Sequence, residues 1–224
     1  FSILLRLVEG SRGRLRLARN VAEIEAARAE GVVAAVAHME GAEGISESLE
    51  ELDLYHAAGL RSLGPVWSRH NRFGHGVPIY REGRPDTAPG LTEAGRRLVK
   101  RCNELRILVD LSHMSEAGFW EVAKLSEAPL LASHSNVWEL CNSTRNLTND
   151  QLKAIGETGG LVGLNFGTLF LRKDGKVDED TPVELLIDHL NRMVDRVGVD
   201  HVGFGSDFDG TVIPKGIGSA AGVP

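Results

Sequence analysis

Short apolar runs and amphipathic helical stretches alternate along most of this chain, and no Asn-Gly or Asp-Gly pair joins two apolar runs directly. The runs are VVAAVAHM (32–39), LRSLGPVW (60–67), Ile107–Leu111, PLLAS (129–133), GLVGLNF (160–166) and HVGFGS (201–206). Between them lie NVAEIEAARAEG (20–31), SESLEELDLYHAAG (46–59), LTEAGRRLVKRCNEL (91–105), SEAGFWEVAKLS (115–126), NDQLKAIGETG (149–159) and TPVELLIDHLNRMVDRVG (181–198), with apolar residues at helical spacing. Ser46 or Ser48 is the expected N-cap of the second of these helices, and Gly59 its end. Strands joined through helices run parallel, with right-handed crossovers. An open doubly wound sheet and a closed barrel both satisfy this. The open sheet is the weaker reading, because no Gly-x-Gly-x-x-Gly follows the first run. The expected fold is therefore an α/β barrel of the (β/α)8 TIM type, a single domain over 1–224. With six strands visible and about 250 residues usual for such a barrel, it is incomplete. The start at Phe1 and the ending SAAGVP suggest that both termini are cut short.

Several function classes drop out. The net charge is -6 with the basic residues scattered, which gives no footprint for nucleic acid. No apolar run approaches the roughly 18 residues of a membrane span. Cys102 and Cys141 make neither a disulfide framework nor a Cys-x-x-Cys pair, so reduced core thiols and a cytoplasmic location are the expectations.

What remains is chemistry at strand ends. Glu40, His113, His134 and Asp207 each fall at or just past the carboxyl end of an apolar run, where barrel enzymes carry their active sites. By period two, His113 shares a face with Ile107, Val109 and Leu111, and His134 shares one with Leu130 and Ala132. Asp207 follows Gly203 and Gly205, which leave room for a carboxylate and an ion. If those faces point inward, two imidazoles and two carboxylates meet, a donor set suited to zinc. Taken singly, each residue has a plainer explanation: a satisfied structural histidine, a polar loop, a residue at a helix entry. The four together point to a metal. His38 precedes Glu40 by two residues and reads as a buried, hydrogen-bonded group before a ligand. His70 and His75 lie in the long loop 68–90, where either can reach a site mouth or simply be solvated. His56, His189 and His201 lie away from that face.

The segments HMEGAEGI, GLTEAGRRLVKRCNELRILVDLSHMSEAGFW, APLLASHSN, STRNLTNDQLKAI and GFGSDFDG, in this order, resemble the membrane dipeptidase (renal dipeptidase) family of the amidohydrolase superfamily. The resemblance runs from about Ala22 to the end. It implies a (β/α)8 barrel with two zinc ions, Glu40 bridging both and His113 and His134 holding the second. Asp207 would sit at the first ion and handle the proton of the attacking water. Arg145, in STRN, would grip the substrate's terminal carboxylate. The implied reaction is hydrolysis of dipeptides by a hydroxide shared between the ions, with a small dipeptide as partner and a homodimer as an allowed assembly. Two departures accompany it. The family's His-x-Asp pair from the first strand has no counterpart in FSILLRLVEGSRGRLRLARN, so the first two barrel strands and the last helix are expected to be missing. Trp67 stands where family members carry a substrate-contacting His. The alternatives are another amidohydrolase activity, on an N-acyl amino acid or a lactam, and a barrel that has lost catalysis.

Overall fold

The computed structural model describes residues 1–79, 83 and 88–223, so parts of the long loop, 80–82 and 84–87, lie outside the described residues. Its strands are β1 (Leu15–Leu17), β2 (Val33–Ala35), β3 (Ala37–Glu40), β4 (Leu60–Gly64), β5 (Leu108–Val109), β6 (Leu131–Ala132), β7 (Leu161–Leu164) and β8 (Val202–Phe204). The helices are α1 (Ser2–Gly10), α2 (Val21–Ala29), α3 (Glu50–Ala58), α4 (Glu93–Leu105), α5 (Glu116–Leu125), α6 (Asn149–Glu157), α7 (Thr168–Leu171) and α8 (Glu184–Val197). Every strand pairing is parallel: β1 with β2, β3 with β4 and β4 with β5, β6 with β7 and β7 with β8. A bridge between Asp110 and Leu131 joins β5 to β6. Only Val36 separates β2 from β3, so one extended segment pairs first with β1 and then with β4.

The six expected strands are present, and β1 adds a position that the sequence reading missed. Residues 1–20, expected to supply no strand, contribute Leu15–Leu17, whose register runs from Leu15 opposite Val33 to Leu17 opposite Ala35. One of the two strands counted as missing is therefore here. Among the described residues β1 and β8 are each paired on one side only, which leaves the barrel open between them. Among the described residues no helix is long and apolar enough to cross a membrane.

Local rules account for half of the helix starts. Asn20, Thr92, Ser115 and Thr148 each accept a backbone N–H with the side chain, and Thr148 with Gln151 forms a full capping box. The start of α3 differs from expectation. Its N-cap is Leu49, in the left-handed region at φ 65°, in place of Ser46 or Ser48. Ser46 instead spends both its N–H and its hydroxyl on the Glu51 carboxylate, at 2.9 and 2.6 Å.

The facing expected from alternation is reversed. Ile107, Val109, Leu111, Leu130 and Ala132 are buried against the helices, in one core with Leu98, Phe119, Leu152 and Met193. The barrel-facing set is the other one: His38 meets Ser62, and Asp110 meets Ser133. Helices cover the outer face of a parallel barrel, so that face takes the apolar residues. On the inner face Leu108 and Leu161 are 43% and 42% exposed.

Where strands crowd, side chains must be absent. A Cβ on Gly163 would land on the Ser133 carbonyl of the neighbouring strand end. Gly163→Ala is therefore expected to cost about 1–3 kcal/mol of stability, read as a lower denaturant midpoint with an unchanged slope. An unchanged midpoint would mean that the strand ends can give way.

Candidate metal centre

Three side chains converge where β3, β5 and β6 end. Glu40 is the last residue of β3, and His113 and His134 follow β5 and β6. The Oε1 of Glu40 lies 3.0 Å from His113 Nε2 and 3.2 Å from His134 Nε2, and the two Nε2 atoms are 2.9 Å apart. One ligand atom from each residue falls within 4.8 Å of the others. Nitrogen and oxygen donors at about 2.0–2.1 Å from a tetrahedral zinc stand roughly 3.4 Å from one another. The observed separations are close to that, and two imidazoles with one carboxylate are a donor set for a divalent transition metal. The residues fit a metal.

His113 reaches this point by backbone geometry that alternation does not describe. It sits at φ 69°, and Asp207 at φ 58°. Such positions in non-glycine residues cost of order 1–3 kcal/mol and persist where the surroundings determine them. The His113 carbonyl is held by the Val77 N–H at 2.8 Å. The left-handed turn swings the imidazole from the helix side of the sheet to the mouth.

The electrostatics suit ligation. The His113 and His134 imidazoles beside it hold the Glu40 carboxyl well below the usual carboxylate range, against the effect of partial burial. Burial pushes the His113 imidazole down to about 3, the Arg145 charge acting in the same direction and Glu40 opposing it. A neutral imidazole keeps a lone pair for a metal. Arg145 is itself buried, at 3% exposure, and burial lowers its guanidinium to about 10 while Asp207, Asp110 and Glu40 oppose the shift. Its Nη2 donates to the His134 carbonyl at 3.0 Å and lies 3.4 Å from His113 Nε2. Its Nη1 donates to Ser135 Oγ at 3.4 Å, and the guanidinium stands 5.4 Å from the Phe170 ring centre. Its Nε is buried without a hydrogen-bond partner among the described residues.

Asp207 lies outside the three-membered group but lines the same cavity of about 620 Å³ as Glu40 and His113. Trp67, Ile79, Leu169, Phe170, Val177 and Val212 give that cavity an apolar wall. Gly203 and Gly205 differ in what they permit. A Cβ on Gly203 would meet little, whereas one on Gly205 would collide with the Ser133 carbonyl, so Gly205 serves close strand approach and not an ion.

His38 is hydrogen-bonded, Nδ1 to Ser62 Oγ at 3.0 Å, but it is exposed and not buried as expected. It does not join the group. His70 stacks on His75 with ring centres 5.8 Å apart, and neither lines the cavity. His189 is a buried strut, Nδ1 accepting from Val137 N and Nε2 against the Leu171 carbonyl. Cys102 and Cys141 are both buried, as expected.

Four supporting residues escaped the sequence reading. Ser68 Oγ pairs with His113 Nδ1 at 2.7 Å, and Asn165 Nδ2 donates to Asp207 Oδ2 at 3.0 Å. Asn165 is fully buried, and its backbone N–H is in turn held by Asn136 Oδ1. The other two are Asp110 and Ser133. Burial alone would raise the Asp110 carboxyl, but His134, the hydrogen bonds from Ser133 and the nearby His38 together lower it. Only Asp110 left a mark in the sequence, as an acid that breaks the apolar run 107–111.

Comparison with known proteins matches this architecture to a class of metal-dependent peptidases. The family model for membrane dipeptidase, peptidase family M19, matches residues 2–224, and the chain belongs to that family. A metallo peptidase from Rhodobacter sphaeroides, solved with a phosphinate mimic of the dipeptide L-Ala-D-Ala, is 53% identical with a TM-score of 0.98; the match covers 100% of this chain and 64% of that one. An uncharacterized protein in the pqqA 5' region of Klebsiella pneumoniae is 48% identical over 223 residues, 100% of this chain and 82% of its own length. A probable dipeptidase, PvdM, from Pseudomonas aeruginosa shares the fold with a TM-score of 0.85 at 24% identity, over 95% of this chain and 67% of its own. The chain thus spans somewhat under two thirds of the Rhodobacter structure it overlays.

Proposed function

We propose that this chain carries the substrate and metal groups of a zinc-dependent dipeptidase that works with two ions. The observation that carries the reading is the Glu40, His113 and His134 triangle set directly against a buried Arg145 whose Nε is unpaired. Glu40, His113 and His134 would hold the metal, and the second carboxylate oxygen of Glu40 would be left for another ion. When bound, the metal lowers the pKa of water to near 7 and polarises the scissile carbonyl. The rest falls to the chain. Arg145 binds the terminal carboxylate of the substrate, for which a planar guanidinium is matched. Asp207, aimed by Asn165, accepts the proton of the attacking water and returns it to the leaving amine. The apolar wall with Trp67 and Phe170 excludes water and receives small apolar side chains.

A carboxylate anchor this close to the metal ligands favours short substrates, because a longer chain would carry its carboxylate past Arg145. The ligand seen in the Rhodobacter protein, a mimic of L-Ala-D-Ala, supports testing a D-residue at the carboxyl side. The experiment is an assay of the zinc-loaded protein against a dipeptide library that includes L-Ala-D-Ala, beside N-acyl amino acids and lactams. Turnover of dipeptides with a free carboxylate is expected. Turnover of N-acyl amino acids or lactams alone would replace the reading with a different amidohydrolase activity. Bound metal with no turnover of any of them would leave a barrel that has lost catalysis.

A further inference from the structure

We infer that Asp110 is a positioning residue: through the Ser133 hydroxyl it fixes the tautomer of His134 that turns a bare Nε2 toward Glu40 and His113. As far as metal is concerned, this rests on the metal reading above.

The inference follows from counting protons. The Ser133 hydroxyl lies between two groups, Asp110 Oδ2 and His134 Nδ1, the latter at 2.7 Å. A carboxylate can only accept, so the Ser133 proton goes to Asp110. The Ser133 oxygen is then an acceptor toward His134, and Nδ1 must carry the hydrogen. In a neutral imidazole that leaves Nε2 without one. The Ser112 bonds agree with this polarity, whereas the Glu40 carboxylate, 3.2 Å from Nε2, pulls the other way in the metal-free protein. Ser112 Oγ accepts the His134 N–H at 3.0 Å, so its own proton is free to point at Ser133 Oγ, 3.4 Å away. Ser68, the corresponding partner of His113, imposes no direction, since a lone hydroxyl can give or take.

The second Asp110 oxygen does a different job. Oδ1 accepts the backbone N–H of Ser112 at 3.0 Å and of Ser133 at 2.8 Å. These residues immediately precede His113 and His134, so one buried carboxylate ties down the chain on which both imidazoles hang. Of its remaining neighbours, His38 Nε2 stands 3.8 Å from Oδ2. Asp110 touches neither the proposed metal nor the substrate. It acts on the centre through Ser133 and through the two strand ends.

The informative substitution is Asp110→Asn. The two backbone N–H groups hold the amide oxygen, which leaves the amide nitrogen facing Ser133 Oγ. That nitrogen donates, Ser133 must then donate to His134 Nδ1, and the imidazole hydrogen moves to Nε2. Two readouts follow. In the metal-free protein, the nitrogen-15 NMR pattern of His134 is expected to show Nδ1–H in the native chain and Nε2–H in D110N. Cobalt(II) affinity, measured by competition against a chromophoric chelator, is expected to fall about 10–100-fold, the usual effect of losing a partner behind a ligand. Ser133→Ala removes the link but keeps both backbone contacts, so it is expected to lose cobalt affinity at unchanged melting temperature, and it decides the matter if D110N does not fold. A native His134 carrying its hydrogen on Nε2 would overturn the inference, as would folded variants that bind cobalt within about twofold of the native chain. If the native chain takes up no cobalt at this centre, the metal reading falls, while the NMR pattern still judges the tautomer.

Discussion

Replacing Glu40 by Gln is expected to strip the centre of metal and abolish turnover while the barrel stays folded. His113 is neutral throughout the working range, its imidazole being pushed down to about 3, so it brings no charge to the group. The Glu40 carboxyl is held ionised by the two imidazoles beside it. It is therefore the negative charge of the three-membered group, 3.0 and 3.2 Å from the two imidazole nitrogens. The amide of Gln keeps the shape and loses the charge. A unit charge pair at 4 Å in a partly exposed setting is worth about 4 kcal/mol, which corresponds to nearly 1,000-fold in affinity. Elemental analysis after dialysis reads the metal, and circular dichroism confirms that the fold remains. Metal retained at the native stoichiometry would show that Glu40 is a bystander and that the two histidines bind through other partners.

That centre was legible in part. The residue types at the strand ends stood out because each follows an apolar run, and the runs themselves are what a parallel sheet requires. The route by which the side chains meet was not legible. Strict alternation puts His113 on the face of Ile107 and Val109, which the structure turns toward the helices. A left-handed residue at the strand end cancels the alternation, and nothing in Ser112-His113-Met114 announces a positive φ, which is uncommon in any residue but glycine. Asp207 repeats the case. The strand Leu15–Leu17 hid for another reason: three residues with Arg16 at the centre, flanked by further arginines, carry too little apolar signal to register as a strand until Val33–Ala35 pairs with them. Ser68 and Asn165 are polar residues in polar surroundings of the sequence, and only the fold brings them to His113 and Asp207. Asp110 was visible as an anomaly, a charge that interrupts an apolar run. A charge so placed is tolerated when its lone pairs are all answered, as the Ser112 and Ser133 donors show.

Arg145→Ala is expected to lower kcat/KM by about 100- to 10,000-fold on dipeptides with a free terminal carboxylate, and by far less on the same dipeptides as amides. Two charge-assisted hydrogen bonds of about 1.5–3 kcal/mol each are lost with the first kind of substrate and none with the second. The difference between substrates carries the test, because Arg145 also touches the centre: it donates to the His134 carbonyl and its charge helps keep His113 neutral. Any general disturbance of the ligands lowers both substrate classes together, and metal content measured alongside detects it directly. Arg145→Lys separates charge from shape. It keeps the cation but replaces the planar fork with a single point donor, and is expected to recover only part of the loss. Equal losses on acids and amides with metal content unchanged would mean that the guanidinium braces His113 and His134 and that the carboxylate binds elsewhere. The unpaired Nε favours the first outcome: a buried N–H without an acceptor carries a desolvation cost of about 1–3 kcal/mol, which an arriving carboxylate relieves.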